Sequence, residues 1–536
     1  MDPRCAPLES VLRCSLAAAL LLAVGCSEQG GGHAAGSPPI TVVTQAVEMP
    51  TAPATRVEKT VLAPTPSAAP RAEEAKPPPG ARIYAKARFA WIQPEPRSSN
   101  GWLGYLSLGG SAPLRGGSVE SARVMGGSGC NAWYAIEPRG FVCDGDTASV
   151  NPDDPVVRAL AADAPDLSSP WPYEYGESTG APRYTHLPTA AEQRGAEWDL
   201  EAHNKLIAAA TAVGASSDSI DKSLIGVDLA PAGVPAPALF PFTPLVREGR
   251  PFVAPGSTVA YTRAFDDGGR AFLLAHDKAI VPKDRVRPYP RSTFHGVELG
   301  GDVTLPIAFF RRTPRPKYKK GDDGELTKTG ESWPRLAWVA LTGEQVKSGK
   351  ATYLATKEPG VYVLESDASV VRAAPAPVGR PDPSSGLGRH TWLDISILDG
   401  WLVAYEGMTP IFATLIAPGR GGIPYGDRDP LETASTPTGN FRVDGKFATA
   451  TMVSSTNDLI VHTEVQFVQN FHGPHALHGA YWHDAWGEQK SGGCVNLAPM
   501  DAKRVFEWSE PKLPDGWYGI RSTPDAGAAT VVSLHK

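Results

Sequence analysis

Glycine and proline interrupt this chain so often that turns and short strands are favoured over long helices. The 536 residues include 55 glycines and 52 prolines, and the apolar residues between them form short runs. Short apolar runs bounded by such residues are typical of strands. The sequence therefore predicts a mainly β protein, built as several small β modules followed by an all-β domain with one or two short helices.

Length and charge narrow the organisation further. A chain of this length exceeds one ordinary domain, so we expect roughly two to four folded units. The formal net charge is −6, and the acidic residues outnumber the basic ones. A nucleic-acid-binding surface needs clustered positive charge, so we predict no nucleic-acid partner.

The first residues resemble an export signal. Leu16 to Val24 is an apolar run too short to span a bilayer. It stops at Gly25-Cys26, and small residues ahead of a cysteine resemble a bacterial lipoprotein cleavage site. We predict a signal peptide over residues 1–26, lipid on Cys26, and an envelope lipoprotein that faces the periplasm from the outer membrane. The alternative is plain secretion with cleavage nearby.

Export changes how the cysteines are interpreted. After removal of the signal, Cys26, Cys130, Cys143 and Cys494 remain. Cys130 and Cys143 bracket a strand–turn–strand pattern, so we predict a disulfide between them in an oxidising compartment. If Cys26 carries lipid, Cys494 has no partner and is either a buried small hydrophobe or a reactive thiol.

Composition shifts along the chain divide it into segments. A proline-rich stretch without apolar periodicity predicts a disordered tether, and Ala190–Val213 reads as the one long helix of the N-terminal half. The segment AIVPKDRVRP resembles the end of bacterial SH3-like wall-binding modules. The predicted segments are the tether 27–80, a small β module 81–155, an irregular region with one helix 156–239, an SH3-like module 240–300, a β module and linker 301–387, a C-terminal domain 388–524 and a tail 525–536.

The C-terminal domain opens on a strong hairpin pattern. Two apolar segments, 392–397 and 401–407, flank the turn Asp399-Gly400, as expected for an antiparallel hairpin. Asp501–Trp508 predicts a short helix, with a proline near its start.

Residues 471–496 concentrate the reactive side chains. The four histidines His472, His475, His478 and His483 suggest zinc, but two glycines and a proline interrupt any helix that would align them on one face. We therefore predict no metal. We expect His472 and His475 to be loop residues that pack or hydrogen-bond beside the site.

A thiol nucleophile is the stronger interpretation of this segment. A cysteine needs a nearby base or positive charge to become a thiolate. Gly492 and Gly493 precede Cys494 and carry no side chain, so a substrate carbonyl can approach the sulfur. Backbone N–H groups in such a turn can bind a developing oxyanion.

Three segments in order then resemble one family. Leu477-His478-Gly479 is followed by SGGCVN at 491–496, with the cysteine sixteen residues after the histidine. Upstream stand TPTGNFR at 436–442 and the hairpin WLDISILDGWLVAYEG. Together these segments resemble the L,D-transpeptidase catalytic domain family (YkuD-like) over residues 388–524.

The resemblance implies roles for particular residues. Cys494 would be the nucleophile and His478 the general acid and base. The backbone carbonyl of Gly479 would orient the imidazole, and the N–H groups of Gly493 and Cys494 would bind the oxyanion. Many family members have histidine where this chain has Gly492, so activity or its pH dependence is expected to differ. No cofactor is implied.

Further residues are assigned to substrate or to the fold. Ser491 is expected to brace the loop, and Asn496 to contact substrate or fix the turn. Tyr481 either faces the peptide stem or is an ordinary core residue. Trp482 and His483 either line the substrate groove or close the domain.

The resemblance gives a leading function and two alternatives. The leading function is an exported peptidoglycan L,D-transpeptidase, which releases D-alanine from a tetrapeptide stem and links the third residues of two stems. With water or a protein lysine as acceptor, the same site would be an L,D-carboxypeptidase or a protein-to-wall ligase. The third possibility is a catalytically silent wall-binding lipoprotein. Expected partners are stem peptides, the membrane through the lipid, and carbapenems that acylate Cys494.

Overall fold

The computed structural model describes residues 80–98, 101–212, 252–373, 390–426, 428–453, 460–523 and 529–536. Within them the chain has seven β-sheets and only short helices, which confirms the mainly β fold class. The chain divides into two compact units, and all described residues from Ala81 onward belong to the same unit. The predicted signal peptide, the lipidation site Cys26 and the tether, Gly80 apart, lie outside the described residues. So do residues 213–251, which end the predicted irregular region and begin the predicted SH3-like module, and residues 374–389, which end the predicted β module and linker and begin the predicted C-terminal domain.

Residues 81–161 form two three-stranded sheets, β4–β1–β8 and β5–β6–β7. Cys130 and Cys143 form a disulfide beside the β6–β7 hairpin. The elements are β1 (Arg82–Ala85), β2 (Ala90–Ile92), β3 (Gly104–Leu106), β4 (Ser111–Pro113), α1 (Val119–Ala122), β5 (Arg123–Val124), β6 (Ala132–Ala135), β7 (Phe141–Asp144), β8 (Ala148–Ser149) and α2 (Pro155–Ala161).

The next sheet is five-stranded, in the order β14–β13–β12–β9–β15, and β10 pairs with β11 beside it. The β12–β13 hairpin turns at Gly268-Gly269. The elements are β9 (Glu174–Ser178), β10 (Ala181–Pro182), α3 (Ala190–Ala196), α4 (Leu200–Ala212), β11 (Phe252–Val253), β12 (Thr258–Asp267), β13 (Arg270–Ala275), β14 (Ile280–Pro282) and β15 (Val286–Pro288).

The prediction of one helix over Ala190–Val213 is wrong, because the chain leaves the helical path between α3 and α4. Glu197 follows α3 with non-helical backbone angles. Its carboxylate accepts hydrogen bonds from Arg270 at 2.7 and 2.8 Å and from Arg285 at 2.9 Å. These buried charge-assisted bonds to the five-stranded sheet fix the chain at Glu197 and outweigh the helix propensity of the surrounding residues.

Residues 307–371 form a seven-stranded sheet in the order β19–β18–β22–β21–β20–β17–β23. All of its pairings are antiparallel. The strands here are β16 (Val297–Glu298), which joins a different sheet, β17 (Ile307–Phe309), β18 (Arg315–Lys320), β19 (Leu326–Trp333), β20 (Trp338–Ser348), β21 (Ala351–Thr356), β22 (Val361–Leu364) and β23 (Ser369–Val371).

Two sheets build the C-terminal part. The hairpin sheet has the order β16–β26–β25–β24–β33–β27, and its β24–β25 pair is the hairpin predicted around Asp399-Gly400. The spanning sheet has the order β2–β3–β32–β28–β29–β30–β31. The elements are β24 (Thr391–Ser396), β25 (Trp401–Glu406), β26 (Thr409–Leu415), α5 (Pro430–Thr433), β27 (Gly439–Arg442), β28 (Gly445–Val453), β29 (Val461–His472), β30 (His475–Gly479), β31 (Val495–Leu497), α6 (Pro499–Trp508), β32 (Gly519–Arg521) and β33 (Val531–His535).

The main core lies between these two sheets and α6. Leu393 from β24, Leu477 from β30 and Val505 from α6 are among its fully buried members. The helix begins at Pro499, two residues before the predicted start, and buried Lys446 donates to the carbonyls of Phe506 and Ser509 at its end. An amine that donates at a helix C-terminus satisfies carbonyls that have no partner within the helix.

Both sheets draw strands from outside the predicted C-terminal domain. β2 and β3, from the predicted module 81–155, complete the spanning sheet, and β16 completes the hairpin sheet. Residues that precede 388 therefore help to build the sheets that carry the candidate site. Among the described residues, no helix has the length and hydropathy needed to cross a membrane.

Candidate active site

The predicted nucleophile and base lie on neighbouring strands of the spanning sheet. β30 and β31 pair in parallel, so that Leu477 lies across from Val495 and His478 from Asn496. Successive side chains of a strand point to opposite faces, and Leu477 and Val495 both point into the main core. His478 and Cys494 therefore share the other face as diagonal neighbours. There Cys494 belongs to a second apolar cluster.

The ring of His478 is held in one tautomer. Its Nδ1 lies 2.9 Å from the carbonyl oxygen of Gly479, and a carbonyl can only accept, so Nδ1 carries the proton. The other nitrogen, Nε2, is buried and makes no hydrogen bond within the described residues. Its lone pair is therefore available to take a proton, as a general base requires.

Gly479 has two functions at this position. Its carbonyl is the acceptor for His478, as the resemblance implies, and its missing side chain makes room for a neighbour. A Cβ on Gly479 would lie 2.7 Å from Cγ of Gln466 on β29. Any larger residue would push β30 away from β29 and move the imidazole.

The turn before Cys494 is braced by two hydroxyl groups. Ser491 donates to the Cys494 carbonyl at 2.5 Å and accepts the N–H of Gly493 at 3.1 Å. Thr436 donates to the Gly493 carbonyl at 3.0 Å. Ser491 therefore lies where the sequence predicts a brace, and the TPTG segment supplies a second one.

The structure corrects one predicted role in this turn. The N–H of Gly493 was expected to bind the oxyanion, but it points to Ser491 Oγ instead. Gly493 has φ of +133°, and a Cβ there would lie 2.9 Å from the carbonyl oxygen of Ser435. Glycine at this position is required by close packing and backbone angle rather than by the direction of its N–H.

Asn496 is held by a residue on the loop after β30. The N–H of Ala485 donates to Nδ1 of His483 at 3.2 Å, so the ring proton lies on Nε2. That Nε2 is 3.1 Å from the side-chain amide nitrogen of Asn496. The oxygen and nitrogen of a side-chain amide exchange places when the group is flipped, and the flipped oxygen accepts the hydrogen bond from Nε2. In the structure Asn496 therefore fixes the turn, one of its two predicted roles, and His483 closes the domain.

Burial lowers the pKa of His483 to about 3. The unfolded chain binds this proton near pH 6.5, so the contribution of His483 to the free energy of unfolding is full above that pH and falls as the pH is lowered toward 3. Between pH 6.5 and 5 the loss from His483 is about 1.6 kcal/mol. We expect the free energy of unfolding, measured with urea, to change less between these two pH values for His483→Gln than for the native chain. Identical differences would contradict the assigned buried, neutral state.

The face that carries Cys494 and His478 is covered in the structure. Cys494 is 2% exposed and His478 0% exposed. The Tyr481 ring stacks on Tyr175 of β9 with a centroid distance of 3.8 Å. Its hydroxyl donates to the Thr463 carbonyl and lies 2.7 Å from Thr258 Oγ1. Tyr481 is thus a core residue that joins the spanning sheet to the five-stranded sheet.

Trp482 is the more exposed of the two aromatic residues predicted to contact substrate. Its ring stacks on His462 at 4.2 Å and lies 5.9 Å from the ring of His478. It is half-buried, whereas Tyr481 is buried. A surface cavity of about 580 Å³, lined by Pro138, Arg139 and others, includes none of the site residues.

The two remaining histidines of the segment lie where β29 ends and β30 begins. His475 is buried, and its Nε2 would lie 3.0 Å from a Cβ on Gly493. His472 is exposed, and its carbonyl lies 3.2 Å from His475 Nδ1. Among the residues that the structure describes, no group of three or more histidine, cysteine or acidic side chains is arranged to hold a metal ion.

Three contributors to the site were not found from the sequence. Thr436 was quoted only as part of the TPTG segment, without a role, and Tyr175 and Thr258 were not singled out. Tyr175 and Tyr481 are 306 positions apart in the printed sequence. No local pattern signals such a contact. Of the three residues, only Thr436 could have been found from the sequence, because its TPTG segment belongs to the same family resemblance as the His478 and Cys494 motifs.

One family model matches the chain. Residues 390–516 match the L,D-transpeptidase catalytic domain, YkuD. The matched region contains His478, Cys494 and all residues of the braced turn. The C-terminal part of the chain therefore carries an L,D-transpeptidase catalytic domain. No curated protein matches the chain.

Solved structures of L,D-transpeptidases also resemble it. One from Enterococcus faecium is 18% identical over 27% of this chain and 49% of that chain, with a TM-score of 0.20. One from Xylanimonas cellulosilytica is 23% identical over 29% and 64%, with a TM-score of 0.19. L,D-transpeptidase 3 from Mycobacterium tuberculosis, solved with a faropenem-derived adduct, is 16% identical over 42% and 78%, with a TM-score of 0.20. The chain spans less than two thirds of the length of the first two, and the domain assignment rests on the family model.

Proposed function

We propose that this chain is an exported peptidoglycan L,D-transpeptidase that uses Cys494 as nucleophile and His478 as general acid and base. The observation that carries the proposal is the state of the His478 ring. Its Nδ1 proton is committed to the Gly479 carbonyl, which leaves the Nε2 lone pair on the face that Cys494 shares. A cysteine is activated by such a base. The family match over residues 390–516 supports the same reaction class.

The reaction balances with these two side chains alone. His478 Nε2 takes the thiol proton, and the Cys494 sulfur attacks the carbonyl between the third and fourth residues of a tetrapeptide stem. The protonated imidazole returns the proton to the departing amine of D-alanine, leaving a thioester. An amine on the third residue of a neighbouring stem then attacks the thioester and loses its proton to His478. The new amide joins the two stems, and the thiol is regenerated.

Gly492 changes the surroundings of the thiol. Many family members have histidine at this position, and a second imidazole there would add charge or a hydrogen bond near the sulfur. In this chain the turn is held instead by Ser491 and Thr436. We propose that the reaction runs with His478 as its single base.

The proposed location is the cell envelope. The apolar run Leu16–Val24 and the following Gly25-Cys26 support export and a lipid anchor. The proline-rich segment 27–80 would give the folded unit reach toward the wall.

The test is digestion of wall treated with the full chain. Sacculi rich in tetrapeptide stems are incubated with the protein, cut with a muramidase and analysed by mass spectrometry. We expect new dimers joined through the third residues of their stems, with release of D-alanine. Tripeptide monomers alone would identify an L,D-carboxypeptidase, and muropeptides on a protein lysine would identify a ligase. A wall left unchanged would contradict all three.

The burial of the site favours a second candidate, a wall-binding lipoprotein without activity. With Cys494 2% exposed and His478 0% exposed, a stem can reach the sulfur only after the cover moves. In this candidate the cover never opens. Incubation of the folded protein with a carbapenem separates the two: the mass of the drug added to Cys494 supports the enzyme, and no adduct supports the silent protein.

Access to the thiol is expected to depend on Tyr175. Removing its ring in Tyr175→Ala deletes the stack on Tyr481 and loosens the cover over the shared face. We expect Cys494 alkylation by iodoacetamide to accelerate about tenfold, which corresponds to about 1.4 kcal/mol of easier local opening. Tyr184→Ala is the matched control, because Tyr184 is buried in a different apolar cluster. Equal acceleration in both variants would contradict a specific cover.

A further inference from the structure

A cluster of aromatic rings lies on β2 and on the residues just before β2 and β3, far from the candidate catalytic pair. Phe89 and Trp91 stack at 5.2 Å with only 10° between their planes, and Trp91 meets Trp102 at 5.3 Å. Phe89 is 38% exposed and Trp91 37% exposed. We call Phe89, Trp91 and Trp102 the aromatic platform. Large aromatic rings left open to solvent in this way are unusual on a surface without a ligand.

The platform and the base lie on one row of the spanning sheet. Trp91 is paired with Tyr105, Tyr105 with Gly519, and Gly519 with Phe447. Directly paired residues of neighbouring strands point to the same face. The row therefore crosses four strands on the face that Tyr105 and Phe447 share with Cys494.

The same row continues to His478. Phe447 is paired with Val468, and the register that pairs Gln469 with Leu477 puts Val468 across from His478. From β2 to β30 there are five steps between strands, which is about 24 Å. Three residues of an extended stem span about 10 Å. The platform is thus too far away to hold the reacting stem itself.

The chemistry of the platform favours a saccharide. A hexose ring presents a flat face of C–H groups, which packs on an aromatic face, and a rim of hydroxyl and acetyl groups that hydrogen-bond. One arginine supplies donors beside these rings: Arg521 is exposed and lies over Trp102 at 5.9 Å. Arg88 lies over Phe89 at 5.7 Å, but its guanidinium is already paired with Glu464. Flat rings with polar partners at their edge are typical of sites that orient a ligand.

We propose that the aromatic platform binds the glycan strand of peptidoglycan at the β2 edge of the spanning sheet, about 24 Å from His478. The inference rests on the proposed function for its choice of glycan, but it concerns a separate surface. Binding at the platform would keep the enzyme on one strand while successive stems reach the thiol. It would also give β2 and β3 a direct part in substrate recognition.

The test uses glycan strands stripped of their stems by an amidase, so that the catalytic site has nothing to bind. Binding to the full chain is followed by tryptophan fluorescence. We expect saturable binding that Trp91→Ala weakens at least tenfold and Phe89→Ala several-fold. Trp198→Ala is the matched control, since Trp198 is 94% exposed and lies outside the platform, and it should bind like the native chain.

Two further variants keep the outcome clear. Arg521→Ala removes an exposed side chain that contacts Trp102 and leaves β2 intact, so weaker binding by this variant supports the proposal even if Trp91→Ala fails to fold. Cys494→Ala should bind stem-free strands normally, which separates this proposal from the catalytic one. The proposal is overturned if the native chain does not bind stem-free glycan, or if folded Trp91→Ala or Arg521→Ala binds as well as the native chain.

Discussion

Cys494→Ala is expected to release no D-alanine from tetrapeptide stems and to form no thioester, because no other side chain of the site can carry the acyl group. His478→Gln is expected to keep the thiol but to slow acylation by about 10²–10⁴-fold, the usual contribution of a positioned acid–base group. Both effects follow from the shared sheet face and from the fixed Nδ1 proton of His478. Release of D-alanine and the mass of the acylated protein are measured in parallel.

The control for these variants comes from the same segment. His472→Gln changes an exposed histidine six positions before His478, and it should acylate at close to the native rate. A glutamine at 478 that acylates within a few-fold of the native chain would assign the base to another group. Far-ultraviolet circular dichroism and thermal unfolding confirm that each variant is folded, so that a loss of rate is not a loss of structure.

The features of this site that could be predicted are those carried by neighbouring residues. Asp399-Gly400 sets a hairpin by turn chemistry alone. The short helix α6 was predicted with Pro499 near its start, although its first residue was placed two positions late. The brace at Ser491 lies within three residues of the carbonyl it binds. In each case the partner is close in sequence, so the pattern contains the contact.

The features that were predicted wrongly or left open depend on contacts between residues that are distant in the sequence. Glu197 ends α3 because Arg270 and Arg285 hold its carboxylate, and nothing near Glu197 in the sequence shows this. The sequence left open whether Tyr481 faces the stem or belongs to the core. Its stack on Tyr175, which lies on another sheet, places it in the core. Likewise β2 and β3 read as part of a separate module, because the strand that pairs with β3 follows it by more than 400 residues. Such contacts are fixed by tertiary packing, which overrides local preference.

The buried carboxylate of Glu464 links three parts of the chain, and its loss is expected to be costly. It accepts from Arg88 at 2.5 Å and from Thr451 at 3.1 Å, and His276 lies 3.6 Å away. Arg88 comes from the segment before β2, and His276 follows β13. Burial by itself raises the pKa of Glu464, but Arg88 and the threonine hydroxyls outweigh it and lower the pKa to about 2.

We expect Glu464→Gln to lower the free energy of unfolding by about 3–5 kcal/mol, because it leaves the Arg88 guanidinium buried without its counter-charge. The carboxylate stabilises the native chain fully above pH 4.5, and this stability is lost as the pH falls toward 2, so the difference between native and variant should shrink over that range. Urea unfolding measures both effects.

Glu177→Gln is the matched control, because the pair of Glu177 with Arg287 is exposed and should contribute less than about 1 kcal/mol. Combining Arg88→Met with Glu464→Leu removes both charges and should cost less than Glu464→Gln alone. If the double change lowers the free energy of unfolding by as much as the two single changes together, the pair is not coupled. Other contacts then join the segment before β2 to β29.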